Sequence, residues 1–275
     1  MNHVLRFPIV VLALSLAVLW LSVWIGVSIR KRRRILEEDE RQDFGTIMSA
    51  ILTLLGLIIG FSFSMAIYRY DQRKDLEEAE ANAIGTEYVR ADYLPAADAA
   101  KVRSLLRDYI DQRIAFYATR DDSQLRQIDV ATTRLATELW SAVQVPTAAR
   151  NTFMDTIVAT GMNDVLNSRG FTQAAWWNRI PNAAWGLMVT IAICCSLLIG
   201  YGARAGKART TLLLVLPLVV SVSFFLIADI DSPRGGVVRV QPQNLIDLSG
   251  SLRAHSPGSG LFGLAGYFQA HVTGN

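Results

Sequence analysis

The chain is poor in the residues that usually carry chemistry. Its 275 residues include only three histidines, His3, His255 and His271, all near the ends. That inventory excludes a histidine dyad or a His-rich metal site in the body of the chain. There are two cysteines, Cys194 and Cys195, adjacent and inside an apolar run. Neighbouring cysteines rarely bridge each other, so the pair reads as small buried hydrophobes and says nothing of redox compartment. No P-loop, HExxH or GxSxG motif occurs. Charge is scarce as well, at 19% of residues, with a net formal charge of only +3. That is below the usual quarter of a soluble domain. The basic residues flank apolar runs instead of forming a nucleic-acid patch. Nothing recommends an enzyme, a resident metal or a cofactor.

What the chain has is four long runs without a charge. They raise the mean hydropathy to +0.28 and predict an all-α membrane protein. The first span lies within residues 1–29, uncharged from Phe7 to Ile29, with Trp20 and Trp24 towards its far end. About 23 residues at 1.5 Å each cover the hydrocarbon core. The run is too long for a cleavable leader, and Arg30–Arg34 would occupy the cleavage zone, so a retained span is expected. The second span is read at 45–68, the third at 181–201 and the fourth at 210–228. Pro181 suits a helix start, and Trp176, Trp177 and Trp185 are expected to form an aromatic belt there. Pro217 is expected to kink the fourth span.

The short loops set the orientation. Residues 30–44 carry Arg30, Lys31, Arg32, Arg33 and Arg34, and residues 202–209 carry Arg204, Lys207 and Arg209. Both basic loops vote for the cytoplasm, since the acidic Glu37–Glu40 run weighs little in this rule. Both termini and residues 69–180 are then extracytoplasmic.

Residues 69–180 read as an extramembrane helical bundle. Asp71 to Leu94 is rich in Glu, Ala and Arg, and Pro95 ends it. Val102, Leu105, Tyr109 and Phe116 share a broad stripe on the next helix. Leu125, Ile128, Thr132, Leu135, Leu139 and Ala142 then recur at steps of three and four, the spacing of a helix-packing seam. Pro146 is expected to break that helix, and Phe153, Ile157 and Val165 to mark another that stops before Asn167-Ser-Arg-Gly170. Glu78, Glu80 and Glu87 read as ordinary solvent-facing charges. Residues 229–248 form a membrane-proximal turn and short helix, and 249–275 a flexible, Gly- and Ser-rich tail. Asp229 and Asp231 lack the remaining positions of a calcium loop. They are expected to cap a turn or to join Arg69, Asp71 and Arg234 in a charge cluster at the membrane surface.

The second span carries the most information. Ser49, Thr53, Gly56, Gly60 and Ser64 form a narrow stripe of small side chains, with Gly56 and Gly60 in a GxxxG that admits another helix. Helix packing is the plain reading of Gly56, Gly60 and Ser64. On the neighbouring face Thr53, Leu57 and Phe61 follow at steps of four, and in a symmetric oligomer they would make rings around a pore.

Gly60-Phe61 followed by Arg69-Tyr70 resembles the second span of bestrophin-type anion channels. The longer string Gly56-Leu-Ile-Ile-Gly-Phe-Ser-Phe-Ser-Met65 is similar to the bacterial bestrophin-like domain family, membrane proteins of unassigned function. Tyr68-Arg-Tyr-Asp71, Glu80-Ala-Asn-Ala-Ile-Gly85, Arg90-Ala-Asp-Tyr-Leu-Pro95, Arg107-Asp-Tyr-Ile-Asp111 and Asp231-Ser-Pro-Arg-Gly235 fit the same family. The resemblance implies a multi-pass protein of the bacterial inner membrane and a homo-oligomer, pentameric in bestrophins. It also implies a pore neck at Thr53, Leu57 and Phe61, with Thr53 departing from an otherwise apolar pattern. Bestrophins place the helical domain in the cytosol, opposite to the vote of Arg30–Arg34, and the local charge rule is followed here. Two functions remain open. One is a homo-oligomeric ion channel lined by the second span, with small ions and the lipid bilayer as its partners and no nucleic acid. The other is a membrane-anchored sensor or assembly scaffold whose helical domain binds a partner or ligand.

Overall fold

The computed structural model describes residues 7–32, 38–150, 152–203 and 209–254. Eight α-helices are described: α1 (Pro8–Lys31), α2 (Glu38–Arg90), α3 (Ala96–Ala118), α4 (Asp122–Arg150), α5 (Phe153–Trp177), α6 (Asn182–Gly202), α7 (Arg209–Asp231) and α8 (Gln243–Ala254). A short 3-10 turn at Ala91–Tyr93 follows α2. No strand occurs among the described residues. Four helical stretches are long and apolar enough to cross a bilayer: α1, the first part of α2, the stretch that ends in α6, and α7. Two compact units result. The first takes the chain up to Tyr70 and Asn178–Arg239, the second Asp71–Trp177 and the chain from Val240 onward.

The first unit is held by apolar packing among the spans. Leu19, Leu55, Met188, Ala192, Val220 and Phe224 belong to one buried cluster. α1 and α6 approach backbone to backbone. A Cβ on Gly200 would fall on the carbonyl oxygen of Val23, and one on Gly26 would fall on that of Leu197. Such small-residue crossings are how helices associate where lipid offers no hydrophobic drive. Gly200→Ala is therefore expected to cost about 1–3 kcal/mol through overpacking, seen as a lower unfolding midpoint in detergent. Gly60→Ala, whose Cβ would meet nothing within 4 Å in the protomer, should bring no such loss.

Polar contacts mark the two ends of this unit. Arg30 donates to the carbonyl of Tyr201 at 3.0 Å, and the Tyr201 ring lies 6.0 Å from that of Phe44. The end of α1, the early part of α2 and the end of α6 thus meet at one end, where both basic loops begin. Arg33, Arg34, Arg204 and Lys207 lie outside the described residues. At the other end Arg69 donates to Asn178 at 2.7 Å, and the Asp231 carboxylate accepts the Ile180 amide at 3.1 and 3.2 Å.

The second unit is a helical bundle with a core that includes Val102, Leu106, Tyr109, Leu139, Val143, Val158, Met162, Val165, Leu245 and Leu248. Several expectations are corrected here. Pro146 does not break α4, which continues to Arg150. A proline that close to a helix end removes one hydrogen bond and leaves room for a final turn. Nor does α5 stop at Gly170. It runs to Trp177, because one exposed glycine costs a helix only about 1 kcal/mol. Its buried face is Asp155, Val158, Met162 and Val165 rather than Phe153, which is exposed. α8 passes Ser249 and reaches Ala254, since Leu245, Leu248 and Leu252 bury one face of it. The rest of the expected flexible tail, residues 255–275, lies outside the described residues.

The aromatic belt is also corrected. Trp177 is 73% exposed, but Trp176 and Trp185 are 5% and 3%. Trp176 packs on Phe116 and Tyr117 in the second unit, and Trp185 on Phe224 in the first. Their neighbours bury both rings before any interface can.

Candidate functional site

On α2 the residues at about 100° per step separate into two faces. Leu55 is 2% exposed, and Ser62 and Ala66, seven and eleven residues on, are buried with it. Ile51, Leu52, Ile58 and Ile59 are half-buried and pack on the same cluster. The opposite face is bare. Ser49, Thr53, Gly56, Gly60 and Ser64 are exposed along it, and side chains placed on Gly56 or Gly60 would meet nothing within 4 Å. Leu57 is 53% exposed and Phe61 64%. Ser49 and Thr53 donate their hydroxyls to the carbonyls of Gly45 and Ser49, at 2.9 Å each. The outward face therefore offers hydroxyl lone pairs and bare backbone, with no uncommitted O–H donor on those two residues.

Asp229, expected to cap a turn or to join a charge cluster, caps a turn. Asp229 and Asp231 are buried. The two oxygens of Asp229 accept the successive amides of Val237 and Val238 at 2.8 and 2.9 Å, which folds the turn after α7 back on its end. Gly236 is required there, because a Cβ would fall on the Asp229 carbonyl. Asp231 anchors Ile180, just before α6. Arg69 directs its guanidinium to Asn178 and to the sulfur of Met65, and Asp71 belongs to the second unit. These residues join segments at one end of the spans. Among the described residues no group of His, Cys, Asp and Glu is arranged to hold a metal.

The reading of Glu80 and Glu87 as solvent-facing is overturned. Arg73, Glu77, Glu80, Ile84, Glu87 and Ala91, at steps of four and three, are all buried. Glu80 pairs with buried Arg113 and accepts from Tyr117 at 3.3 Å and Thr172 at 3.2 Å. Glu77 accepts the Leu245 amide at 3.0 Å and the Asn244 side chain at 2.7 Å, anchoring the first turn of α8. Glu87 lies against Gly161 of α5, and neither of its oxygens has a hydrogen-bond partner among the described residues. Burial foremost, and the charge of Asp164 to a lesser degree, push its carboxyl up to about 8 against the pull of Arg90. The heptad-like spacing was visible in the sequence. Its charged content pointed the wrong way.

Comparison with known proteins adds to this geometry. The sequence model of the bestrophin-like domain matches residues 12–245. The fold is similar to the crystal structure of a bacterial bestrophin homolog from Klebsiella pneumoniae, at 14% identity and a TM-score of 0.62, covering 88% of this chain and 98% of that one. A variant of that homolog with a tryptophan replaced by alanine superposes with a TM-score of 0.60 at 13% identity, over 87% of this chain and 97% of that one. At such identity the likeness bears on the fold alone. No curated protein sequence matches the chain.

Proposed function

The chain belongs to the bestrophin-like domain family, and on that premise we propose that it is a homo-oligomeric ion pore lined by the second span. The supporting observation is the division of α2: Leu55, Ser62 and Ala66 are buried within the protomer while Thr53, Leu57 and Phe61 stand bare. Around a symmetry axis these three would make successive rings, those of Leu57 and Phe61 apolar and able to gate by dewetting. Gly56, Gly60 and Ser64 beside them leave room for a neighbouring copy to approach closely. Five copies is the number that the resemblance to bestrophins suggests.

Purified protein in planar bilayers is expected to conduct, and Phe61→Ala to raise unitary conductance by widening the narrowest apolar ring. Silence of both proteins, or a monomeric mass in detergent, would remove the pore. Gly60→Leu is expected to shift the oligomer towards monomer while leaving the protomer folded, because its side chain meets only the neighbouring copy.

The proposed orientation places both basic loops in the cytoplasm of a bacterial cell and residues 69–180 outside the inner membrane. It is supported by two short loops of the same sign that begin at the same end of the first unit. In a background without Cys194 and Cys195, Asp121→Cys is expected to react with a membrane-impermeant maleimide in spheroplasts, and Arg33→Cys only after lysis. The reverse pattern would give the helical unit the cytosolic placement known for bestrophins.

A further inference from the structure

The first unit contains a hollow that the pore reading does not use. It is a cleft of about 390 Å³ lined by Leu14 and Val18 of α1, Trp185, Gly186 and Val189 of α6, and Phe224 of α7. Trp185 and Phe224 are buried and set edge-to-face with centroids 6.0 Å apart, so they make its inner wall. Leu14 and Val189 are exposed along it. Gly186 keeps it open: a Cβ there would meet nothing within 4 Å.

Two features point to an occupant. The spans that form the cleft place it in hydrocarbon, and its lining is apolar apart from Ser15 and Thr190, whose hydroxyls donate to the carbonyls of Leu12 and Gly186, so the medium that fills it is lipid and not water. The Trp185 indole N–H, moreover, is buried with no hydrogen-bond partner among the described residues. A buried tryptophan normally finds an acceptor, and a fully apolar tail would not supply one. Trp185 is the fourth residue of α6, about one turn or 5 Å inside the helix start. That is the depth at which indoles meet the boundary between headgroups and acyl chains, and ester carbonyls lie at that boundary.

We infer that this cleft holds one acyl chain of a membrane glycerophospholipid, whose ester carbonyl accepts the indole N–H of Trp185. The volume falls within the range of about 300–1,000 Å³ typical of small-molecule sites. Because the indole N–H is buried, the ring has to turn about its side-chain bonds to meet the carbonyl as the chain enters. The site needs the four-span fold and is independent of whether α2 lines a pore.

The test uses the full chain in vesicles of phosphatidylethanolamine and phosphatidylglycerol, doped with a phosphatidylglycerol that carries a diazirine on one acyl chain. After photolysis, labelled peptides are mapped by mass spectrometry. Labelling is expected to concentrate on Leu14–Val18 and Gly186–Thr190, above that at the outward residues Leu218 and Val219 of α7, which are also exposed. Gly186→Leu, whose Cβ meets nothing within 4 Å, is expected to fill the hollow, to fold, as its unfolding midpoint will report, and to lose the enrichment. Trp185→Phe keeps the ring and removes the donor, and is expected to weaken retention about five-fold, the worth of one neutral hydrogen bond. Uniform labelling of all lipid-facing peptides, or enrichment that survives Gly186→Leu, would reduce the cleft to ordinary boundary lipid. Unchanged retention in Trp185→Phe would overturn the hydrogen bond. Displacement of the label by oleate but not by unlabelled phosphatidylglycerol would overturn the phospholipid assignment in favour of a free fatty acid.

Discussion

Replacing Arg113 by leucine is expected to destabilise the helical unit by about 3–5 kcal/mol, the usual effect of removing one partner of a buried ion pair. Both Arg113 and Glu80 are almost fully buried. The guanidinium donates to both Glu80 oxygens and lies 4.5 Å from the centre of the Phe116 ring. Without it the carboxylate keeps, among the described residues, the hydroxyls of Tyr117 and Thr172, at 3.3 and 3.2 Å. Burial and the Glu80 charge both push the Tyr117 hydroxyl well above the usual tyrosine value, so it stays protonated and goes on donating. Most of the loss comes from the stranded charge, so adding Glu80→Gln to Arg113→Leu should restore most of the stability. Chemical unfolding in detergent, followed by circular dichroism, measures both variants. A double variant as unstable as the single one would show that the pair is not what Arg113 supports.

Glu87→Gln is expected to act in the opposite sense, by an amount that grows with pH from about 4.5 to about 8. The folded chain holds the Glu87 proton up to about 8, whereas an ordinary glutamate loses it near 4.5. Below 4.5 both states are protonated and the residue costs nothing. Between 4.5 and about 8 the unfolded chain ionises while the folded one does not, so stability falls as pH rises. Above about 8 the full loss is reached, on the order of 5 kcal/mol for a gap of that size. The groups facing the carboxyl are Arg90 on its own helix and Asp164 on α5, and their opposing charges leave burial as the main cause. Glutamine has no proton to lose. The variant should match the wild-type unfolding midpoint below pH 4.5 and exceed it increasingly up to about pH 8. Identical pH profiles for the two proteins would refute the assignment.

Glu80 and Glu87 show why part of the molecule was unreadable before it folded. Their spacing with Arg73, Glu77, Ile84 and Ala91 is that of a core-facing stripe, but single-residue polarity assigns such residues to water. For Glu80 and Glu77 only the partners, Arg113, Thr172 and Leu245, each far away in sequence, make burial tolerable, whereas Glu87 is buried by keeping its proton. The family-like strings follow the same logic. Glu80 in one serves the ion pair, Asp111 in another meets Arg253 at 2.6 Å, and Asp231 in a third holds Ile180. Those strings read as signatures, and their work in the structure is to join segments.

The spans themselves were legible because a bilayer imposes a local rule. About 20 uncharged residues suffice to identify a crossing, whatever else the chain does. The seam on α4 was legible for a similar reason: Thr132, Leu139 and Ala142 do turn inward, as a helical period requires. Helix ends were less so. Pro146 and Gly170 carry the sequence marks of a stop, yet packing over the surrounding turns exceeds the small local cost of either residue.

The sequence by itself determined that this is a four-span helical membrane protein, that a helical bundle follows its second span, and that the second span carries small residues beside Thr53, Leu57 and Phe61. Each of those properties depends on composition or period within one stretch of chain. Tertiary structure alone decided which glycines are close-packed, which acids are buried and which face of α2 is left bare. Gly26 and Gly200 touch backbone while Gly56 and Gly60 touch nothing, although all four stand in equally apolar helices. The difference is made by what lies opposite, and what lies opposite a residue is a property of the fold and not of its neighbours in sequence.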